Sequence, residues 1–316
     1  MEQRNPDEQA APIAASELKQ LQQRSDLRGL LRLAGHLAWM GSACALYAVA
    51  IAKSWHPAWI LLAGTALGFT MVTMFACMHE CVHRTAFRSA WLNEGVGWFA
   101  GLLSFYNSTF YRHYHTWHHR FTQIPGKDPE LEDTRPTSLG VYAVEMSGVT
   151  WWIGKFKTHF TLAAGRTGGF PFLNENTAPG AVRSVRVQLA TYAAFAVASL
   201  VLGGPYLLVY WVVPVALGQP LLRLILLAEH TGCTEDDNML TNTRTTHTIW
   251  PVRFLMWEMP YHAEHHRYPA LPFFALRAAH ERMGQRLSHV ARRGYTGFHV
   301  EVLRGLWRRP SARSAA

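Results

Sequence analysis

The sequence predicts an all-α membrane protein: two transmembrane helical hairpins, interfacial helices beside them, and a cytosolic helical cap that holds a metal site. Three observations predict it. The composition is divided between apolar stretches and polar segments, four apolar runs fall into two tightly joined pairs, and histidines cluster just outside those runs.

Hydrophobic residues make up 49% of the 316 residues and charged residues only 16%, against about 25% charged in an ordinary soluble domain. The mean hydropathy is nevertheless −0.02, so a few apolar spans must be joined to a large polar portion. The net charge of +9 comes from dispersed basic residues with no nucleic-acid motif, which fits a cationic membrane face and no nucleic-acid partner. Cys44, Cys77, Cys81 and Cys233 show no extracellular framework spacing, and no disulfide is expected.

The four runs cover roughly 34–53, 57–78, 187–203 and 206–228, each long enough or nearly so for about 30 Å of hydrocarbon. Lys53 to Pro57 joins the first pair and Gly203-Gly204-Pro205 the second, so each pair is an antiparallel hairpin. Trp55 and Trp59 flank one turn, and Tyr206, Tyr210 and Trp211 the other, as an aromatic belt does. Both termini and the segment 79–186 then share one side, and Lys53 is the only Lys or Arg on the other. The positive-inside rule makes the shared side cytosolic and the protein integral to the inner or plasma membrane. The implied organisation is a cytosolic N-terminal segment at 1–33, a membrane domain at 34–290 and a basic C-terminal tail at 291–316. Residues 1–32 lack the apolar core of a signal peptide. Residues 95–111 and 139–163 are expected to lie in the interface as helices.

Eight of the 17 histidines fall into three groups: His79 and His83; His115, His118 and His119; His262, His265 and His266. Two of these share the spacing H-x-x-H-H, for which roughly 0.05 matches are expected by chance in a chain of this composition. Positions i, i+3 and i+4 share one helix face, so each group presents its imidazoles together. The chain also repeats one plan: a hairpin, a histidine at the membrane edge, then a triple. His79 precedes His115 by 36 residues and His230 precedes His262 by 32, which marks His230 as a ninth ligand. Nine imidazoles exceed what one ion uses, so two ions are implied. Ligand type leaves Fe, Zn, Cu and Ni open, while a reducing cytosol beside lipid favours iron.

With three histidine boxes behind two hairpins, and the phrases HECVHRTAF, HHRFTQIPGKDPE and MPYHAEHHRYP at those boxes, the chain resembles the membrane fatty acid desaturase and hydroxylase superfamily over roughly 30–285. The likeness is to its small bacterial members. The resemblance implies two Fe ions ligated by His79, His83, His115, His118, His119, His262, His265 and His266, with His230 as the further histidine after the fourth span. It implies O2 as co-substrate, a fatty acid or lipid substrate, no fused haem or flavin, and a separate electron donor of ferredoxin, rubredoxin or cytochrome b5 type. Desaturation is the leading outcome, with hydroxylation, ketolation and alkene-forming decarboxylation as alternatives. No catalytic side chain beyond the ligands is expected, although Glu258, where many relatives carry Asn, is a candidate outer-sphere group. His36, His56, His159, His280, His289 and His299 are expected to be dispensable, and His113 and His247 are left unassigned. A reading of another class remains: His79-Glu80-x-x-His83 is also the H-E-x-x-H of an intramembrane zinc protease, with Glu80 as general base.

Overall fold

In the computed structural model residues 13–131 and 135–308 are described, and their regular structure is almost entirely helical. Among them, four helical rods are long and apolar enough to cross a membrane: Asp26–Ala52, Pro57–Val82, Ala178–Val201 and Leu208–His230. The first is α2, preceded by the short α1 (Ala15–Leu21). The second joins α3 (Pro57–Val72) and α4 (Met74–Val82) at Thr73, whose hydroxyl donates to the Phe69 carbonyl at 2.7 Å. The third is α9 (Ala178–Val201). The fourth is a π-helical turn at Leu208–Val212 followed by α10 (Val213–His230).

The rods overrun the apolar stretches at the histidine end. The first starts at 26 rather than 34 and the third at 178 rather than 187, while the second ends at 82 rather than 78. Hydropathy marks only the lipid-facing part of a rod, but the helix continues wherever its polar turns pack against neighbours. At 1.5 Å per residue the 26-residue second rod is about 39 Å long, more than the hydrocarbon needs. Its last turn carries His79 past the apolar run and leads into His83. The fourth rod does the same for His230.

These two rods cross at paired glycines. A Cβ on Gly68 would stand 1.8 Å from the Pro214 carbonyl oxygen, and one on Gly218 would stand 2.4 Å from the Gly68 carbonyl carbon. Small residues allow this close approach between membrane helices. The contact fixes the spacing of the histidine-bearing ends.

Between the hairpins, α5 (Ala90–Ser104) lies along α4, and the chain reverses at Phe105, in the left-handed region at φ 60°. Asn107 caps the next helix, α6 (Ser108–Phe121), by accepting from the Phe110 amide at 2.9 Å. The apolar stretch at 95–111 is therefore two helices with a corner. The stretch at 139–163 is also divided, into α7 (Leu139–Met146) and α8 (Val149–Ala163), at Gly148 with φ 78°. Along α8, Val149, Ile153, Phe156 and Phe160 are all exposed. Such an apolar stripe is what a helix lying in the interface presents to lipid.

The polar end is closed by β1 (Thr245–Thr246) paired in parallel with β2 (Val290–Ala291), by α11 (Trp250–Leu255), α12 (His262–Arg267) and α13 (Phe273–Met283), and by α14 (Gly294–Arg308). Part of the segment expected as a basic tail is thus an ordered helix. His299 Nε2 bonds the Leu224 carbonyl of the fourth rod at 2.7 Å. At the other end of the chain, Ile13 N donates to Tyr268 Oη at 3.3 Å. Both described ends of the chain therefore lie at the histidine end of the bundle.

Candidate metal centre

Four helices supply the nine imidazoles: α4 carries His79 and leads into His83, α6 carries His115, His118 and His119, α10 ends on His230, and α12 carries the last triple. On α6 and α12 the i, i+3 and i+4 positions turn toward a common point, as the spacing requires. Two adjoining groups result. His79, His83, His115, His119 and His265 each offer a nitrogen within 4.8 Å of the others, and so do His118, His230 and His266. His262 joins the second group, its Nε2 lying 3.2 Å from His230 Nε2 and 3.1 Å from His266 Nε2. All nine histidines singled out in the sequence are brought together.

The nitrogens fit a metal better than they fit each other. His119 Nε2 is 3.0 Å from His115 Nε2 and 3.1 Å from His265 Nε2. A neutral imidazole has one N–H, so such a cluster leaves lone pairs facing lone pairs. Two nitrogens that share one ion at about 2.1 Å stand about 3.0–3.4 Å apart, which is the spacing found. Both ring nitrogens of His79 and Nε2 of His83 are buried without a hydrogen-bond partner, an arrangement that costs free energy unless something binds there. Burial, aided by neighbouring positive charge, holds His83 down at about 3 and keeps His115, His119, His262, His265 and His266 well below the usual histidine range. The rings are therefore neutral and have lone pairs to give.

The residues around the two groups differ. His118 Nδ1 bonds Asp128 Oδ1 at 2.8 Å, His230 Nδ1 the Asn242 carbonyl at 3.1 Å, and His266 Nδ1 the Thr122 hydroxyl at 3.2 Å. Asp128 also accepts from the Gln123 amide at 2.7 Å and the Glu130 amide at 2.9 Å. Burial pushes its carboxyl up, but these bonds outweigh burial and hold it below the usual aspartate range. In the five-histidine group, among the described residues, only His115 shows such a contact, from Nδ1 to Tyr111 Oη at 3.3 Å. A cavity of about 620 Å³ reaches the centre at His79, His115, His230 and His262. Phe75, Tyr106, Tyr111 and Trp151 supply aromatic wall and Leu226 and Met259 aliphatic wall.

A family model described as fatty acid desaturase matches residues 53–296. The chain belongs to the fatty acid desaturase family. It is 26% identical over 263 residues to an sn-1 oleoyl-lipid 12-desaturase of Picosynechococcus sp., covering 76% of this chain and 72% of that protein. It is 25% identical over 265 residues to an sn-1 oleoyl-lipid 12-desaturase of Arthrospira platensis, covering 76% of this chain and 70% of that one. As a member of that family the chain is an oxidoreductase, and its histidine groups are able to hold metal.

Within this desaturase-family site, several residues stand elsewhere than the sequence suggested. Glu258 contacts no histidine of the centre. It sits in a left-handed turn at φ 59° and accepts from Arg32 Nη2 at 3.2 Å, with Arg253 Nε 3.8 Å away. His280, expected to be dispensable, bonds the buried carboxylate of Glu264 between His262 and His265, and Thr245 holds that carboxylate's other oxygen. His247 Nε2 lies 3.1 Å from His280 Nε2, outside the two groups, and His113 is outside them as well. His36, also expected to be dispensable, is buried between the Thr70 carbonyl at 2.8 Å and Trp257 Nε1 at 3.2 Å, a packing role.

Asp128, Glu130 and Glu264 were missed by sequence reasoning. The phrase KDPE following the second box carries the first two, but nothing local shows that this loop folds back on α6. Glu80 is not placed as a general base. Its Oε2 accepts from the Thr85 hydroxyl at 2.9 Å and from the Phe273 amide at the start of α13 at 3.1 Å. There it ties the first histidine pair to the helix that follows the last triple.

Proposed function

We propose that the nine histidines hold two iron ions and that the chain uses O2 to introduce a double bond into a lipid-borne fatty acyl chain. The observation that carries this reading is the pair of adjoining, largely buried imidazole groups at the end of a cavity whose wall combines aromatic and aliphatic side chains with charged ones such as Lys155, Arg223 and Glu229. The five-histidine group takes one ion and the four-histidine group the other. Bound there, the ions supply the redox chemistry that O2 needs to attack an unactivated C–H bond. The protein's part is to position and to exclude. Asp128, the Asn242 carbonyl and Thr122 each hold the outer nitrogen of a ligand and so set its tautomer and ring plane. Phe75, Tyr106 and Trp151 give an acyl chain an aromatic wall along the approach to the histidines.

By the distribution of Lys and Arg, the histidine end and both termini face the cytosol. Electrons come from a separate donor protein of the ferredoxin, rubredoxin or cytochrome b5 type. Against the zinc-protease reading, one oxygen of Glu80 is held by Thr85 and the α13 amide, and both H-x-x-H-H triples would have no task. The test is expression in a bacterial host, mass spectrometry of lipids, free acids and volatile hydrocarbons, and iron and zinc counting on the purified protein. New unsaturated acyl chains and two irons per chain are expected, both absent from His118→Ala. A single zinc with unchanged lipids would overturn the proposal.

A further inference from the structure

We propose that the carboxylate of Glu130 is a ligand of the ion beside His118, on the four-histidine side, so that the centre is not all-imidazole. This deepens the two-ion reading and rests on the site holding metal.

Glu130 Oε2 lies 3.4 Å from His118 Nε2, in the four-histidine group, and Oε1 lies 3.9 Å from His115 Nδ1, the nitrogen of that ring turned away from the five-histidine cluster. His115, His118 and Glu130 together form a third set of ligand atoms within 4.8 Å of one another. The 3.9 Å approach is too long for a hydrogen bond. The 3.4 Å approach is the separation expected of two ligand atoms that share one ion at about 2.1 Å. His118 directs Nδ1 to Asp128 at 2.8 Å, so Nε2 is the nitrogen it turns to the metal, and Glu130 Oε2 stands beside that nitrogen.

The loop is built to place this carboxylate. Asp128 grips the far nitrogen of His118 and accepts from the Glu130 amide at 2.9 Å, while Pro129 between them fixes its own φ. One short turn thereby addresses both sides of the same imidazole. Glu130 also lines the cavity, so its carboxylate meets the ion from the side open to substrate. An anionic oxygen ligand makes the two ions inequivalent. The ion beside His118 gains a hard donor and a negative charge, and the ion among the five histidines is bound mainly by nitrogen.

The experiment counts and characterises metal without relying on turnover. Wild type, Glu130→Gln, Glu130→Asp and the surface control Glu94→Gln are purified, stripped with a chelator and titrated anaerobically with Fe2+, and separately with Zn2+. Mössbauer spectra are recorded on the iron forms, and thermal unfolding checks that each variant is folded. Wild type and Glu94→Gln are expected to bind two ions, with two distinct iron signals. Glu130→Gln is expected to lose roughly 10–100-fold in affinity for one ion only, with a shift in that ion's signal, and Glu130→Asp to recover part of the loss. Two ions bound by Glu130→Gln with unchanged affinity and spectrum would overturn the assignment and leave the two-ion reading standing. Two zinc ions bound by wild type in place of iron, with the same loss in Glu130→Gln, would support the ligand while removing the desaturase chemistry. A wild type that binds no ion would sink both.

Discussion

The two histidine groups are held in place by different means. In the four-histidine group three rings are fixed from behind, by Asp128, the Asn242 carbonyl and the Thr122 hydroxyl. In the five-histidine group, among the described residues, one ring is so fixed, and the others depend on the helices that carry them. His79 and His83 stand on a rod clamped by the Gly68–Gly218 crossing, and His265 on the short α12, whose neighbour Glu264 is bonded by Thr245 and His280. One group is thus oriented ring by ring through hydrogen bonds, and the other through the packing of whole helices. The difference implies that single polar substitutions disturb the first group locally, whereas the second responds to changes in helix packing.

The largest expected effect removes the difference altogether. His118→Ala and His265→Ala, one from each group, should both lower turnover to background and reduce bound iron, because a deleted ligand cannot be replaced by orientation elsewhere. Iron analysis and product mass spectrometry check this. If His265→Ala kept full activity, the five-histidine group would have no catalytic role.

A smaller pair of substitutions tests the asymmetry itself. Asp128→Asn leaves a side chain of the same size but weakens the charged hydrogen bond to His118, and should cost roughly 10–100-fold in metal affinity or activity. Tyr111→Phe removes the 3.3 Å contact to His115, a long bond between neutral groups, and should cost less than about tenfold, in line with about 1 kcal/mol for such a bond. Ferrous titration of both variants gives the ratio. Equal losses would mean that the two groups are held alike.

Glu80→Gln probes the packing side of the comparison. The carboxylate receives the Phe273 amide and the Thr85 hydroxyl, so the amide replacement should cost about 1–3 kcal/mol of stability. Bound metal and the nature of the product should persist. Thermal unfolding and metal counting separate this from the protease reading, under which Glu80→Gln would abolish activity in a fully stable protein.

How much of this was legible in the sequence follows from the range of each signal. The nine histidines were readable because i, i+3, i+4 spacing is local and a chance match is rare. The hairpins were readable because apolar length and tight turns are local as well. Rod ends were not, since α4 continues through His79 only because α5 and α13 bury its polar turns. Asp128 and Glu264 act across a loop or a turn of packing, so no spacing rule exposes them. His280 looked like one more surface histidine, and only the fold shows it reaching the carboxylate between two ligands.

Glu258 marks the outer limit of the centre. Its position before the last triple suggested an outer-sphere role, yet its carboxylate faces Arg32 on α2 and Arg253 on α11. With side chains 14% and 13% exposed, the Arg32–Glu258 pair fastens the first rod to the turn that leads into α12. Glu258→Gln keeps a hydrogen-bond acceptor for Arg32 and loses the charge. It should therefore lower stability by about 1–3 kcal/mol, because a largely buried Arg32 loses its counter-charge, and leave metal content and both iron signals unchanged. Parallel thermal melts and Mössbauer spectra decide the matter. A shifted iron signal would extend the oriented shell to Glu258 and show that packing and hydrogen bonding are not separable in this half of the centre.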